Sequence, residues 1–133
     1  MAFWTLPPFE DSAAERFYAE LKERRLRLPR CAPCARTFLP ARTRCSRCLS
    51  KDLEWVDAPR TGSLYAFTRQ SVGLRCVKPD VIGVVELALD DGPARLLTRI
   101  DAPFESLVIG MLVELDFLEV AEGVVLHQFR VKP

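Results

Sequence analysis

Between Ser12 and Arg25, apolar residues recur three and four positions apart: Ala14, Phe17, Tyr18 and Leu21, with Arg25 closing the series. That period places them on one face of an α-helix. Ser12-Ala13-Ala14-Glu15 opens the segment as a capping box, in which Ser12 accepts from the third helical amide while Glu15 reaches back to the cap. The pattern predicts an amphipathic helix over residues 12–25, with Glu20, Lys22, Glu23 and Arg24 turned away from the apolar face. Phe3, Trp4, Leu6 and Phe9 precede it on a Pro-containing arm too short to fold alone, so they must pack on the body or on another protein.

From Thr61 the period becomes two. Tyr65, Phe67 and Arg69 alternate with Leu64, Ala66 and Thr68 in a strand over 64–72, and Val81 to Leu89 is a nearly continuous apolar run, as for a buried strand. Asp90-Asp91-Gly92 reads as a hairpin turn needing positive φ, and Arg95 to Ile100 as the returning strand. Met111, Val113, Leu115 and Phe117 alternate with Glu114 and Asp116, which gives a strand with one wet face; Ala121-Glu122-Gly123 then turns the chain into a last strand, Val124 to Val131. Residues 101–110, between the third and fourth strands, suit a short helix or turn. Five strands with a connecting element at that place have the order of an OB-fold, a small Greek-key barrel.

Between helix and strands neither period holds, and cysteine spacing carries the information. Cys31, Cys34, Cys45 and Cys48 spell C-x2-C-x10-C-x2-C. Two thiolates three residues apart on a tight turn can share an ion, and two such turns facing each other close a four-sulfur shell, the pattern of a zinc ribbon. With every coordination position filled by protein, one zinc per chain would be structural. Iron in a rubredoxin-type site and a pair of disulfides are the alternatives. The N-terminus lacks the basic region and apolar core of a signal peptide, so a reducing cytoplasm is expected, which favours metal over disulfides. Ala35 and Leu49 follow the two pairs, where a Gly would tolerate positive φ. The cost of about 1 kcal/mol for a side chain there is small beside the roughly 10 kcal/mol that structural zinc contributes.

The 133 residues are expected to divide into an arm and helix over 1–27, a ribbon over 28–58 and a barrel over 59–133, a mainly β chain. No apolar run approaches the ~20 residues needed to span a bilayer, so no membrane role is expected. A net charge of +1 conceals an asymmetry: residues 16–60 carry twelve Lys and Arg against five Asp and Glu, whereas residues 61–133 carry seven against ten. Arg36, Arg42, Arg44 and Arg47 lie in the basic segment and are candidates for contact with phosphates or with an acidic protein surface, the alternative being a solubilising face. Cys76 is left over from the metal set and reads as an isolated thiol. His127 shares strand parity with Val125, Phe129 and Val131, which puts it on the inner face of the barrel or at an interface; without a local orienting partner, it reads as a hydrogen-bonded structural histidine before a general base.

The ordered set of Phe17-Tyr18, Arg25-Leu26-Arg27-Leu28-Pro29-Arg30-Cys31, both cysteine pairs, Leu53-Glu54-Trp55-Val56, Gly62-Ser63-Leu64-Tyr65, Val84-Val85-Glu86-Leu87, Arg95-Leu96-Leu97-Thr98-Arg99, Ile109-Gly110-Met111 and Gln128-Phe129-Arg130 resembles the OB-fold proteins with a rubredoxin-like zinc ribbon, the domain of unknown function thirty-five family. It departs from the family at Ala35 and Leu49, where Gly is usual. The resemblance covers nearly the whole chain and implies an auxiliary subunit, non-catalytic by itself, that joins a thiolase-superfamily enzyme in a hetero-oligomer and sometimes helps shape a site for a coenzyme A thioester. Phe3 and Trp4 are candidate partner contacts. The competing class is a nucleic-acid-binding zinc-ribbon and OB module, but single-strand binders stack bases on exposed aromatics of the barrel, and residues 81–100 contain none. Independent catalysis is the third class, and the sequence supplies no nucleophile, base and oxyanion donor that belong together.

Overall fold

In the computed structural model, residues 13–70 and 80–132 are described; Phe3, Trp4, Ser12 and Cys76 lie outside them. Helix α1 spans Ala13–Lys22 and ends a turn earlier than its periodicity predicts. The amides of Glu23, Arg24 and Arg25 bond back to the carbonyls of Glu20, Leu21 and Glu20, and Arg24 adopts a left-handed φ of 60°, which turns the chain out of the helix. Leu21 is fully buried, and Phe17 and Tyr18 pack against the core, as the apolar stripe requires.

Glu20 departs from the predicted outward face. It is buried at the helix end, accepting from Arg25 at 2.7 Å and Arg16 at 3.1 Å, with Arg27 at 3.8 Å. The helical wheel resolves only which residues share a face; it does not register that three guanidiniums converge on it, Arg16 from one turn earlier in the helix, Arg25 from just after it and Arg27 from β1. A carboxylate with that much compensation can be taken out of water. The Arg25 hydrogen bond, ahead of the other contributions, holds the Glu20 carboxyl below its ordinary range against the opposing effect of burial.

Strands β1 (Arg27–Cys31) and β2 (Leu53–Asp57) pair antiparallel from Arg27↔Asp57 to Cys31↔Leu53 and form the base of the ribbon. The barrel comprises β3 (Thr61–Arg69), β4 (Val81–Leu89), β5 (Gly92–Asp101), β6 (Leu112–Ala121) and β7 (Val124–Val131). Its closed order is β3-β4-β5-β7-β6, with a 3-10 turn at Phe104–Ser106 between β5 and β6, so the expected five-stranded barrel is present. Leu64, Val85, Leu87, Ile100, Val113 and Phe129 are sealed inside it.

Two local features shape the wall. A bulge between Leu64 and Ala66 breaks the strict alternation of β3, so Leu64 and Phe67 both reach the core although residues three positions apart would otherwise face opposite sides. At Gly83 the chain needs the absence of a side chain: a Cβ there would lie 2.7 Å from Ile100. In the β4–β5 hairpin it is Gly92 that takes the positive φ, at 128°.

Candidate metal centre

The ribbon's two turns are built alike. In the first, the Cys31 amide donates to the Arg36 carbonyl at 2.8 Å; in the second, the Cys45 amide donates to Ser50 at 3.0 Å and the Leu49 amide to Cys45 at 2.9 Å. Ala35 and Leu49, the residues after each cysteine pair, have φ of 55° and 63°. The left-handed turn that Gly usually supplies is therefore formed without it. Phe38 and Leu53 pack behind Cys31 and Cys45, which are fully buried, while Cys48 is exposed.

This folding brings the sulfurs of Cys31, Cys34, Cys45 and Cys48 within 4.8 Å of one another, with Cys31 and Cys48 at 3.5 Å. A tetrahedron with Zn–S bonds of about 2.3 Å has edges of about 3.8 Å. The four thiols fit that shell, and all four are free of disulfides. Their acidities are split. Backbone amides of Cys48 and Arg47 pull Cys45 down to about 7, whereas the hydrogen bond to Cys48, then burial, push Cys34 up to about 12; burial also raises Cys31. Four thiolates this close cannot all carry charge in one another's presence unless a cation joins them. The donor set, sulfur only and closed, suits a structural zinc, and the same four thiolates would hold iron.

The basic residues part into different roles. Arg36 pairs with Asp91 at 3.2 Å, and Arg30 with Asp90 at 3.5 Å, tying the ribbon to the β4–β5 turn. Arg44 donates to the Leu49 carbonyl at 3.3 Å and so braces the second turn. Arg42 and Arg47 are exposed. Proximity in sequence suggested one patch; the ribbon's fold spends Arg36 and Arg44 on its own geometry.

His127 stands on the inner side of β7, where Thr98 Oγ1 lies 2.8 Å from its Nδ1 and the Phe17 ring of α1 meets it edge-on at 6.0 Å. Burial drops its pKa to about 4, so the ring is neutral at pH 7. Among the acids of the wet face, Glu114 pairs with Arg130 at 2.7 Å and Asp116 accepts from Gln128 at 2.7 Å. These are cross-strand supports. Sequence reasoning missed two features: the carboxylate hub at Glu20, whose only signal was a Glu flanked by Arg16 and Arg25, and a cavity at the junction of α1, ribbon and barrel, for which no linear signal exists.

Residues 19–54 match the family model described as the ChsH2 rubredoxin-like zinc ribbon domain, and residues 55–118 the ChsH2 C-terminal OB-fold domain. The chain belongs to this family. The fold is similar to a solved structure described as the Ltp2-ChsH2(DUF35) aldolase, with 30% identity and a TM-score of 0.79 over 95% of this chain and 98% of that one. A protein of unknown function from the DUF35 family of Sulfolobus solfataricus has the same fold at 20% identity, with a TM-score of 0.60 over 90% of this chain and 85% of that one. A probable enoyl-CoA hydratase alpha subunit of Thermomonospora curvata is 30% identical over 86% of this chain, which spans 36% of that relative's length. Among the described residues, no helix is long and apolar enough to cross a membrane.

Proposed function

We propose that this chain is a non-catalytic subunit that binds a thiolase-superfamily enzyme acting on coenzyme A thioesters, in the cytoplasm, and that one zinc ion on Cys31, Cys34, Cys45 and Cys48 holds its ribbon in shape. The end-to-end similarity to the ChsH2(DUF35) chain of an aldolase carries this reading, since the match spans helix, ribbon and barrel together. The chemistry of the described residues agrees with it. His127 is neutral, enclosed and bonded to Thr98 with no carboxylate on its Nδ1, and the acids of the barrel wall are paired. Zinc would supply folding energy through a closed shell, leaving substrate chemistry to the partner.

A nucleic-acid role draws less support. The exposed Tyr65 is already covered by Arg95, 3.8 Å above its ring, and Arg95 is held by Glu86 at 3.3 Å, so the one exposed aromatic among the described residues does not offer that face to a base.

The test is co-purification of the native protein from its own cells. A thiolase-like enzyme in stoichiometric amount, with acyl-transfer or aldol activity that requires both chains, is the expected result. Turnover of a thioester by the isolated chain that His127→Ala abolishes would overturn the reading.

A further inference from the structure

The four sulfurs of the ribbon are not equally sheltered. Cys31 and Cys45, the first cysteine of each pair, are fully buried, Cys34 is half-buried and Cys48 is exposed. Hydrogen bonding follows a similar division. The Cys45 sulfur accepts from the Arg47 amide at 3.4 Å, whereas no backbone amide among the described residues bonds the Cys48 sulfur, which lies 3.5 Å from the sulfur of Cys31 in the opposite turn. An amide that donates to a thiolate lowers its basicity and with it its nucleophilicity. The sulfur that solvent reaches is therefore also the sharper nucleophile. Its surroundings are cationic, since Arg47 precedes it and Arg44 donates to the carbonyl of Leu49, the residue after it, at 3.3 Å, and such surroundings favour the thiolate. The same turn ends on the left-handed φ of 63° at Leu49, a conformation that a side chain resists. Metal binding holds in place a turn that the chain alone would relax.

We propose that the metal shell is also a peroxide-reactive site, in which exposed Cys48 is oxidised, buried Cys31 closes a disulfide onto it, and the ribbon releases its zinc. This rests on the zinc reading above. The Cys48 thiolate attacks one oxygen of hydrogen peroxide: an S–O bond forms, the O–O bond breaks, and the second oxygen leaves as hydroxide. The Cys31 thiolate then attacks the Cys48 sulfur; the S–S bond forms, the S–O bond breaks, and a second hydroxide leaves. The two sulfurs give up two electrons, the peroxide takes both, and two protons from solvent turn the hydroxides into water. Cys34 and Cys45 alone cannot close a tetrahedral shell, so the ion departs. The turn at Leu49 then relaxes until a dithiol reduces the disulfide and zinc returns.

The test uses the full chain carrying Cys76→Ser, which leaves the ribbon cysteines as its only thiols. Metal analysis first establishes its zinc content; hydrogen peroxide is then added beside a colorimetric zinc chelator, and the products are mapped by peptide mass spectrometry. Zinc release should run in step with a Cys31–Cys48 disulfide, and dithiothreitol with added zinc should reverse both. Dimedone present with the peroxide should label Cys48. Cys48→His keeps a zinc ligand and removes the exposed sulfur, so it should release zinc at least about tenfold more slowly, whereas Cys34→His, which keeps Cys48, should stay within about threefold of the parent. Should Cys48→His fail to hold zinc, the position of the dimedone label and of the disulfide in the parent chain decides. A disulfide or label that leaves out Cys48, zinc retained under an about tenfold excess of peroxide, or release from zinc-loaded Cys48→His at the parent rate would overturn the proposal. A chain without zinc fails the earlier reading at the metal analysis, before any peroxide is added, and takes this proposal with it; zinc that is present but survives peroxide sinks this proposal alone.

Discussion

His127 illustrates how one buried side chain makes the molecule sensitive to pH. Its unfolded value is near 6.5 and burial lowers the folded value to about 4, so between these limits the unfolded chain binds a proton that the folded chain refuses. Stability contributed by the neutral ring is full above about pH 6.5 and is lost as pH falls toward 4, by up to about 3 kcal/mol. Urea midpoints measured from pH 7 to pH 4.5 should decline accordingly in the native protein and flatten in His127→Gln; an equal slope in both would remove the assignment. Glu20 acts in a different window. Its folded carboxyl lies below the ordinary 4.5, so its contribution is present above that value and is lost only as pH falls further. Because Arg16 and Arg25 remain 51% and 44% exposed, solvent discounts the ion pairs, and Glu20→Gln at pH 7 should cost about 1–2 kcal/mol, read from chemical denaturation.

At the scale of elements, strand periodicity was legible where local pattern and tertiary environment agree. Val81–Leu89 and Val124–Val131 are the strands that alternation, apolar continuity and flanking turns mark out. The helix was legible by its stripe but not by its end, because Arg24 turns left-handed there and Glu20 is held by a charge cluster that draws Arg27 from β1. The ribbon is the opposite case: cysteine spacing announces it, while its turns rely on conformations that the local residues disfavour. Ala35 at φ 55° is a direct test. Ala35→Gly should stabilise the metal-loaded ribbon by about 0.5–1 kcal/mol, and the branched Ala35→Val should destabilise it by at least as much, measured as the chelator concentration that releases zinc. Cys45→Ser should lose the metal and unfold residues 27–57 while the barrel keeps its β signal, because Leu64, Val85 and Phe129 form a core that includes no cysteine. Loss of all circular dichroism in that variant would show the two units to be one cooperative structure.

Over the whole molecule, the ribbon and barrel are joined by opposite charge as well as by packing, and this separates two kinds of arginine that sequence alone groups together. Arg30 and Arg36 reach Asp90 and Asp91 on the β4–β5 turn, so their positive charge is answered within the chain. Arg42 and Arg47 stand exposed on the ribbon, open to a partner with an acidic surface. Arg42→Gln with Arg47→Gln should therefore slow association with the co-purified enzyme at low salt and leave the stability of the isolated chain unchanged, and the difference from native should vanish at high ionic strength, since rim charges are screened over about 10 Å at 0.1 M salt. Arg36→Gln should show the reverse pattern: little effect on the association rate, but a looser ribbon, seen as faster amide exchange around Thr37 and Asp91. If the double variant associates at the native rate at low salt, those arginines serve solubility, and recognition must lie on the uncharged surface, where Leu97, Val108, Ile109 and Leu112 are each more than half exposed.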